Sequence, residues 1–239
     1  YSVLNVLNKT EVNIVTVEDP IEYNIKYVNQ TQINPAAGIT FASALRSLLR
    51  QDPNIILVGE IRDEETAEIS VNAALTGHLL LSTVHTNDAP TAIPRLLDMK
   101  VQPFLVSAVL NLVLAQRLVG KICADCIESY KPNDLLLELI KKQIEELNLA
   151  SQYKAPKLFY RGKGCSSCGH GGLKVRIGIF ETLSFDDEIR SYVIKPDFSL
   201  DGLRKLARKK GMITMSEDGL RKAERGMTTI EEVLRVIRE

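Results

Sequence analysis

Glu18 and Asp19 stand together directly after the apolar run Ile14 to Val17, and Glu60 stands after the run Ile55 to Val58. Carboxylates at the ends of apolar strands can do two kinds of work: abstract a proton as a general base, or offer the hard oxygen ligands that Mg²⁺ requires beside phosphate groups. Each also has a plainer reading, as an Asp-Pro turn ahead of Pro20 or an acidic residue closing a core strand. His85 ends a third apolar stretch, residues 78–84, and is either a structural histidine or a member of the same constellation. Repetition of one geometry, a polar residue at the carboxyl end of successive strands, favours a single shared site, because open α/β sheets bind ligands there.

A second constellation uses thiols. Cys123 and Cys126 form one CxxC pair, and Cys165 and Cys168 form another, flanked by Gly162, Gly164, Gly169, Gly171 and Gly172. Two such pairs suit a closed tetrahedral Cys₄ zinc site, with glycines letting the chain wrap closely around the sulfurs. A redox dithiol and two disulfides are the competing readings.

The elements that must position these groups follow from pattern. Residues 1–7 have the apolar spacing of a helix that starts without a cap. Ile14 to Val17 is a strand stopped by Pro20, residues 32–38 form a loop, and Thr40 caps a helix running to about Arg50. Arg46 and Arg50, at i and i+4, share an edge of that helix and need an anion opposite or open solvent. Ile55 to Val58 is a buried strand, 64–75 a crossover helix ended by Gly77, 78–84 a strand, and the stretch after His85 a capped helix. The apolar stretch 101–119 is expected to be one long core helix. A charged helix at about 133–147 separates the cysteine pairs, 175–183 is a strand, and helices are expected over 200–210, 216–225 and 229–238, the last capped by Thr228 or Thr229.

The 239 residues balance 30 basic against 30 acidic side chains, with 45% hydrophobic content. Such neutrality argues against bulk attraction to nucleic acid. The most apolar segment, 103–115, is shorter than a bilayer span and carries Ser107 and Asn111, so no membrane-crossing helix is expected. No signal-peptide pattern opens the sequence, and thiols grouped as metal ligands suit a reducing compartment; a cytosolic location is the expectation.

In order along the chain, these blocks resemble the ATPases of type II secretion and type IV pilus assembly. VTVEDPIEY (15–23) is similar to that family's aspartate box, LRQDPNIILVGEIRD (49–63) to its Walker B region, LTGHLLLSTVHTNDA (75–89) to its histidine box, and AQRLVGKIC (115–123) with the two CxxC pairs to its zinc-bearing portion. The resemblance implies an α/β fold: a RecA-like P-loop ATPase core (1–119), a tetracysteine zinc-binding insertion (120–172) and a C-terminal strand and helical region (173–239). It further implies Mg²⁺-dependent hydrolysis of ATP, with Glu18 as general base, Asp19 beside it in the Mg²⁺ shell, Glu60 on the metal side and His85 sensing the γ-phosphate. Arg46, Arg50 and Arg62 would contact phosphates, some across a subunit boundary. The implied setting is a homo-oligomer, a hexameric ring, engaging an inner-membrane platform protein from the cytoplasm, with Zn²⁺ structural.

One departure stands out, since no GxxxxGK[ST] phosphate loop occurs in the sequence. The uncapped start suggests a fragment that opens just after such a loop, which by itself would be inactive. Two other readings stay open: a non-catalytic, zinc-braced assembly subunit of the same machinery, and a nucleic-acid-binding zinc module.

Overall fold

In the computed structural model, residues 1–134, 137, 138, 140–142 and 158–238 are described. They fall into two compact units, Tyr1–Val113 with Ser184–Leu206, and Leu114–Leu183 with Ala207–Glu239.

The first unit is built on four parallel strands: β1 (Ile14–Glu18), β2 (Val28–Gln32), β3 (Ile55–Val58) and β4 (Leu79–Ser82), in spatial order β2-β1-β3-β4. Their sequences explain the order. All five residues of β1 are buried, as are Ile55, Ile56 and Val58 of β3, which suits inner strands covered on both faces. β2 reads VNQTQ with every residue at least partly exposed, the composition of an outer strand, and is not visible as an apolar run.

Helices close over this sheet. α1 (Ser2–Leu7) places Leu4 against Ile14, Ile25 and Ile55, and α2 (Phe41–Leu48) buries Phe41, Leu45 and Leu48 at helical spacing. Thr40 caps α2 as expected. Its hydroxyl accepts from Ser43 N–H at 3.2 Å while Ser43 Oγ accepts from Thr40 N–H at 2.9 Å, a reciprocal box that stabilises the helix start by about 1 kcal/mol. The helix ends in a 3₁₀ turn, Leu49–Gln51. α3 (Glu64–Leu75) begins at Asp63, whose carboxylate accepts from Thr66 N–H at 2.8 Å, and is followed by Gly77 at φ +101°. His78 serves that helix end, with Nδ1 3.0 Å from both Ala73 O and Thr76 Oγ1. α4 (Ala92–Asp98), α5 (Pro103–Val109), α6 (Asp187–Val193) and the first two turns of α7 (Leu200–Lys209) complete the unit. Ser107 Oγ donates to Arg190 O at 3.0 Å, and the Arg190 guanidinium returns to carbonyls at the end of α5 and to Asn111 Oδ1 at 2.9 Å.

The long helix expected over 101–119 is not one helix. α5 stops at Val109, Leu110 is extended (φ −71°, ψ 126°), and β5 runs from Leu112 to Ile122. From 112 to 119 the even-numbered residues are exposed and the odd-numbered ones turn inward, a strict period of two. Leu112, Leu114 and Leu118 on the exposed face, beside Val113, Ala115 and Val119 on the inner one, hide that period in the sequence, and Arg190 satisfies carbonyls that a continuing helix would have used.

In the second unit β5 pairs with β8 (Leu173–Ser184), and β6 (Ile127–Tyr130) pairs antiparallel with β7 (Phe159–Gly162). α8 (Met215–Glu224) and α9 (Ile230–Arg238) follow, and Ile140, Phe159, Leu220, Ile230 and Leu234 form a core. Thr229 caps α9 by accepting from Glu232 N–H at 3.2 Å. Thr228 is buried instead, donating to Gly120 O at 2.7 Å. Of the charged helix expected at about 133–147, residues 135, 136, 139 and 143–147 lie outside the described residues.

Candidate functional site

Parallel register brings the chemistry together. Val17 of β1 lies opposite Val58 of β3, so Glu18 comes level with Gly59, one residue before Glu60. Gly59 makes this approach possible: a Cβ there would sit 3.2 Å from Val17 O and 3.3 Å from Glu18 Cα. On the other side, Val58 lies opposite Ser82, and the chain beyond β4 is tied to Glu60's segment. Ile61 N–H donates to Thr83 O at 3.0 Å, and Thr83 Oγ1 donates to Gly59 O at 2.7 Å.

Glu18 is 4% exposed, and three donors hold its carboxylate: the Tyr1 hydroxyl, the Thr16 hydroxyl and Gln30 Nε2 at 3.0 Å. Burial and the bond to Glu18 push the Tyr1 hydroxyl above its usual pKa. Glu22 N–H donates to the same tyrosine oxygen at 3.1 Å. Asp19, beyond the strand, is exposed, and its charge acts on Arg62.

Glu60, 9% exposed, accepts on one oxygen from both Arg62 Nε and His85 Nε2, the latter at 2.9 Å. Burial would raise the Glu60 carboxyl, but hydrogen bonds from Arg62 and His85 outweigh it and hold the pKa below the ordinary carboxylate range. The His85 side chain is 79% exposed and reaches Glu60 from open solvent.

Glu18, Glu60, Arg62 and His85 thus gather at one edge of the sheet, at the carboxyl ends of β1, β3 and β4. Arg46 is engaged elsewhere, in an ion pair with Glu65 of α3 at 2.6 Å, both side chains more than half exposed. Glu65 is the anion that the i, i+4 arginine edge called for. Arg50 donates to Arg46 O at 3.0 Å and Ser47 Oγ at 3.3 Å. Tyr1, Thr16 and Gln30 were not singled out from sequence. Thr16 carried a signal, since residues i and i+2 of a strand share a face; Tyr1 and Gln30 carried none.

The four cysteines converge in the second unit, with all their Sγ atoms within 4.8 Å of one another. Cys123 to Cys165 and Cys165 to Cys168 are 3.8 Å, and Cys126 to Cys168 is 3.9 Å. Zinc–sulfur bonds of about 2.3 Å in a tetrahedron place sulfurs roughly 3.8 Å apart, whereas a disulfide needs about 2.05 Å. The donor set and spacing therefore fit a zinc ion, and all four cysteines are free of disulfides.

Local geometry produces this convergence. Ile127 pairs with Gly162, setting Cys126 beside the second pair, and Lys163 N–H donates to Cys126 O at 3.0 Å. Gly162 and Gly172 are in contact so close that a Cβ on Gly162 would lie 2.0 Å from Gly172 O, and Gly172 itself has φ +73°. N–H groups of Cys165 and Gly172, each 3.3 Å away, aim at Cys168 Sγ; they stabilise the thiolate and hold that thiol at about 6.

Comparison with known proteins shows the family of the chain. A family model described as "Type II/IV secretion system protein" matches residues 1–235. The type IV pilus assembly ATPase PilB of Thermus thermophilus is 49% identical over 234 residues, 98% of this chain and 25% of its own length. The type II secretion system protein E of Pseudomonas aeruginosa is 47% identical over 239 residues, 100% of this chain and 45% of its own. Among solved structures, the pilus retraction motor PilT with bound ADP aligns at a TM-score of 0.67 and 27% identity, over 98% of this chain and 55% of that one. This chain accordingly spans between a quarter and just under half of these two curated relatives. Matched by the family model over residues 1–235, the chain belongs to the type II/IV secretion system protein family.

Proposed function

We propose that these residues form the catalytic edge and the metal-braced portion of an ATP-hydrolysing motor subunit for type IV pilus assembly or type II protein secretion. The observation that carries this reading is the pairing of two nearly buried carboxylates, Glu18 and Glu60, on neighbouring strand ends, with His85 and Arg62 sharing Glu60.

Glu18 is the general base. Three donors from three different segments lock its carboxylate in one orientation, so a water positioned there meets an oxygen that does not need to reorganise. Asp19, exposed beside it, and Glu60 supply the hard oxygen atoms suited to Mg²⁺. Mg²⁺ bound with ATP would neutralise charge on the β- and γ-phosphate oxygens. His85 is the γ-phosphate sensor: its imidazole rests on Glu60 from an exposed loop and can exchange that carboxylate for a phosphate oxygen.

Arg62, Arg46 and Arg50 are the cations available to phosphates, with Arg46 and Arg50 facing a neighbouring subunit of a hexameric ring. An exposed pair such as Arg46–Glu65 is weak enough to be traded for a more highly charged partner. No GxxxxGK[ST] occurs here, so residues 1–239 supply the carboxylates, the sensor and the arginines rather than a phosphate loop of that pattern. The four cysteines hold a structural Zn²⁺. No helix among the described residues is long and apolar enough to cross a membrane. By analogy with the pilus and secretion machines of its relatives, the subunit works at the cytoplasmic face of the inner membrane through a platform protein.

Glu18→Gln in the whole protein tests the reading, because the amide keeps the shape and loses the basic oxygen. ATP turnover should fall by at least about 100-fold while ATP affinity stays within about twofold. Turnover at the wild-type level would remove Glu18 from the role of base.

A further inference from the structure

The segment carrying His85 is pinned at both ends. On the near side, the Thr83 bonds to Gly59 and Ile61 fix its exit from β4 beside Glu60. On the far side is Asp88, three residues beyond the histidine. One Asp88 oxygen accepts from Thr91 N–H at 2.8 Å, at the start of α4, and the other from Arg204 Nη2 at 2.6 Å. Thr86 Oγ1 donates to Asp88 O at 3.1 Å, tying the intervening chain to the same anchor.

Arg204 lies on α7, 116 residues further along the chain but within the same compact unit. Its other contacts are longer, 3.5 Å to Thr91 Oγ1 and 3.5 Å to Asp201, so Asp88 is its principal partner. The Asp88 side chain is 26% exposed, which shields the pair better than Arg46–Glu65 on the open surface. Burial would raise the Asp88 carboxyl, and Thr91 with Arg204 reverses this and keeps it below the ordinary range.

An imidazole 79% exposed takes its position chiefly from the backbone that carries it. We propose that Arg204 is a positioning residue for His85: its ion pair with Asp88 fixes the 84–88 segment so that Nε2 rests on Glu60, and a shift of α7 that breaks the pair withdraws the sensor from the site. α7 thereby becomes a regulatory input to the carboxylate edge of its own unit. The consequence for turnover rests on the ATPase reading above, whereas the geometric link between Arg204 and His85 does not.

The experiment compares wild type, Arg204→Ala and Arg204→Lys in the whole protein, with two readouts. In nucleotide-free protein, the His85 imidazole NMR signal, assigned by its loss in His85→Gln, should move in Arg204→Ala and return most of the way in Arg204→Lys. In steady-state assays, Arg204→Ala should lower kcat about tenfold with the KM for ATP within about twofold and the thermal midpoint unchanged, and Arg204→Lys should recover most of it. An unmoved His85 signal overturns the inference, and so does a fall in kcat that merely tracks loss of folded protein. A signal that moves while the wild type shows no ATP turnover would sink the ATPase reading and leave the Arg204–His85 link standing. Normal turnover in Arg204→Ala, beside an inactive Glu18→Gln, would sink the regulatory role alone.

Discussion

The carboxylate edge and the cysteine cluster solve opposite problems. Glu18, Glu60 and His85 come from three strand ends as far as 67 residues apart, Glu18 to His85, and meet only because β1, β3 and β4 hold a parallel register. The cysteines come as two i, i+3 pairs on tight turns joined by one short antiparallel ladder, so each half is preformed locally. Their openness differs as well. His85 and Arg62 reach Glu60 from solvent with side chains 79% and 59% exposed, and can leave it, whereas the four sulfurs face one another and leave no position for a substrate. Exchangeable partners suit a site that must cycle; closed ligation suits one that must only hold.

Metal removal should separate the two most strongly. Purified protein should contain about one zinc per chain, and chelation or Cys165→Ser should unfold the second unit, because the energy of a closed Cys₄ site is folding energy. Elemental analysis with circular dichroism checks this; less than about half an equivalent of zinc, or a normally folded Cys165→Ser protein, would break the contrast.

A smaller effect is expected from Gly59→Val, which adds no charge and touches no thiol. Its Cβ would press on Val17 O and Glu18 Cα at 3.2 and 3.3 Å, so the strand ends must part. The expected cost is about 1–3 kcal/mol by denaturant unfolding, with turnover in the whole protein reduced further than stability explains and zinc content unaffected. Unchanged turnover would mean that the spacing of Glu18 and Glu60 is not critical.

The smallest effect concerns pH. Glu60 has a lowered pKa in the folded protein, so its contribution to stability is complete above its unfolded value of about 4.3 and is lost as pH falls through the lowered folded value. Wild type should therefore exceed Glu60→Gln in thermal midpoint at neutral pH, and the gap should close only below about pH 4.3. A gap that persists at lower pH would assign the benefit to packing of the side chain rather than to its charge, and would weaken the picture of a site held by exchangeable ionic partners.

Much of this was legible from residue order. Thr40 declared its cap, the apolar run 55–58 its burial, Gly77 the end of a helix, and the CxxC pairs with their glycines a convergence of four thiols, because in each case the physical cause lies within a few residues. Other features needed the folded chain. β2 is polar and becomes a strand only because β1 offers it a ladder; β5 hides its period of two behind leucines on its exposed face; and Tyr1, Gln30 and Arg204 act on residues 17, 12 and 116 positions away. Sequence by itself determined which side chains could do chemistry and where local turns would place them. Tertiary structure alone decided which of them share a carboxylate, since strand register and helix docking are set by the summed burial of distant apolar residues, which no short window of sequence contains.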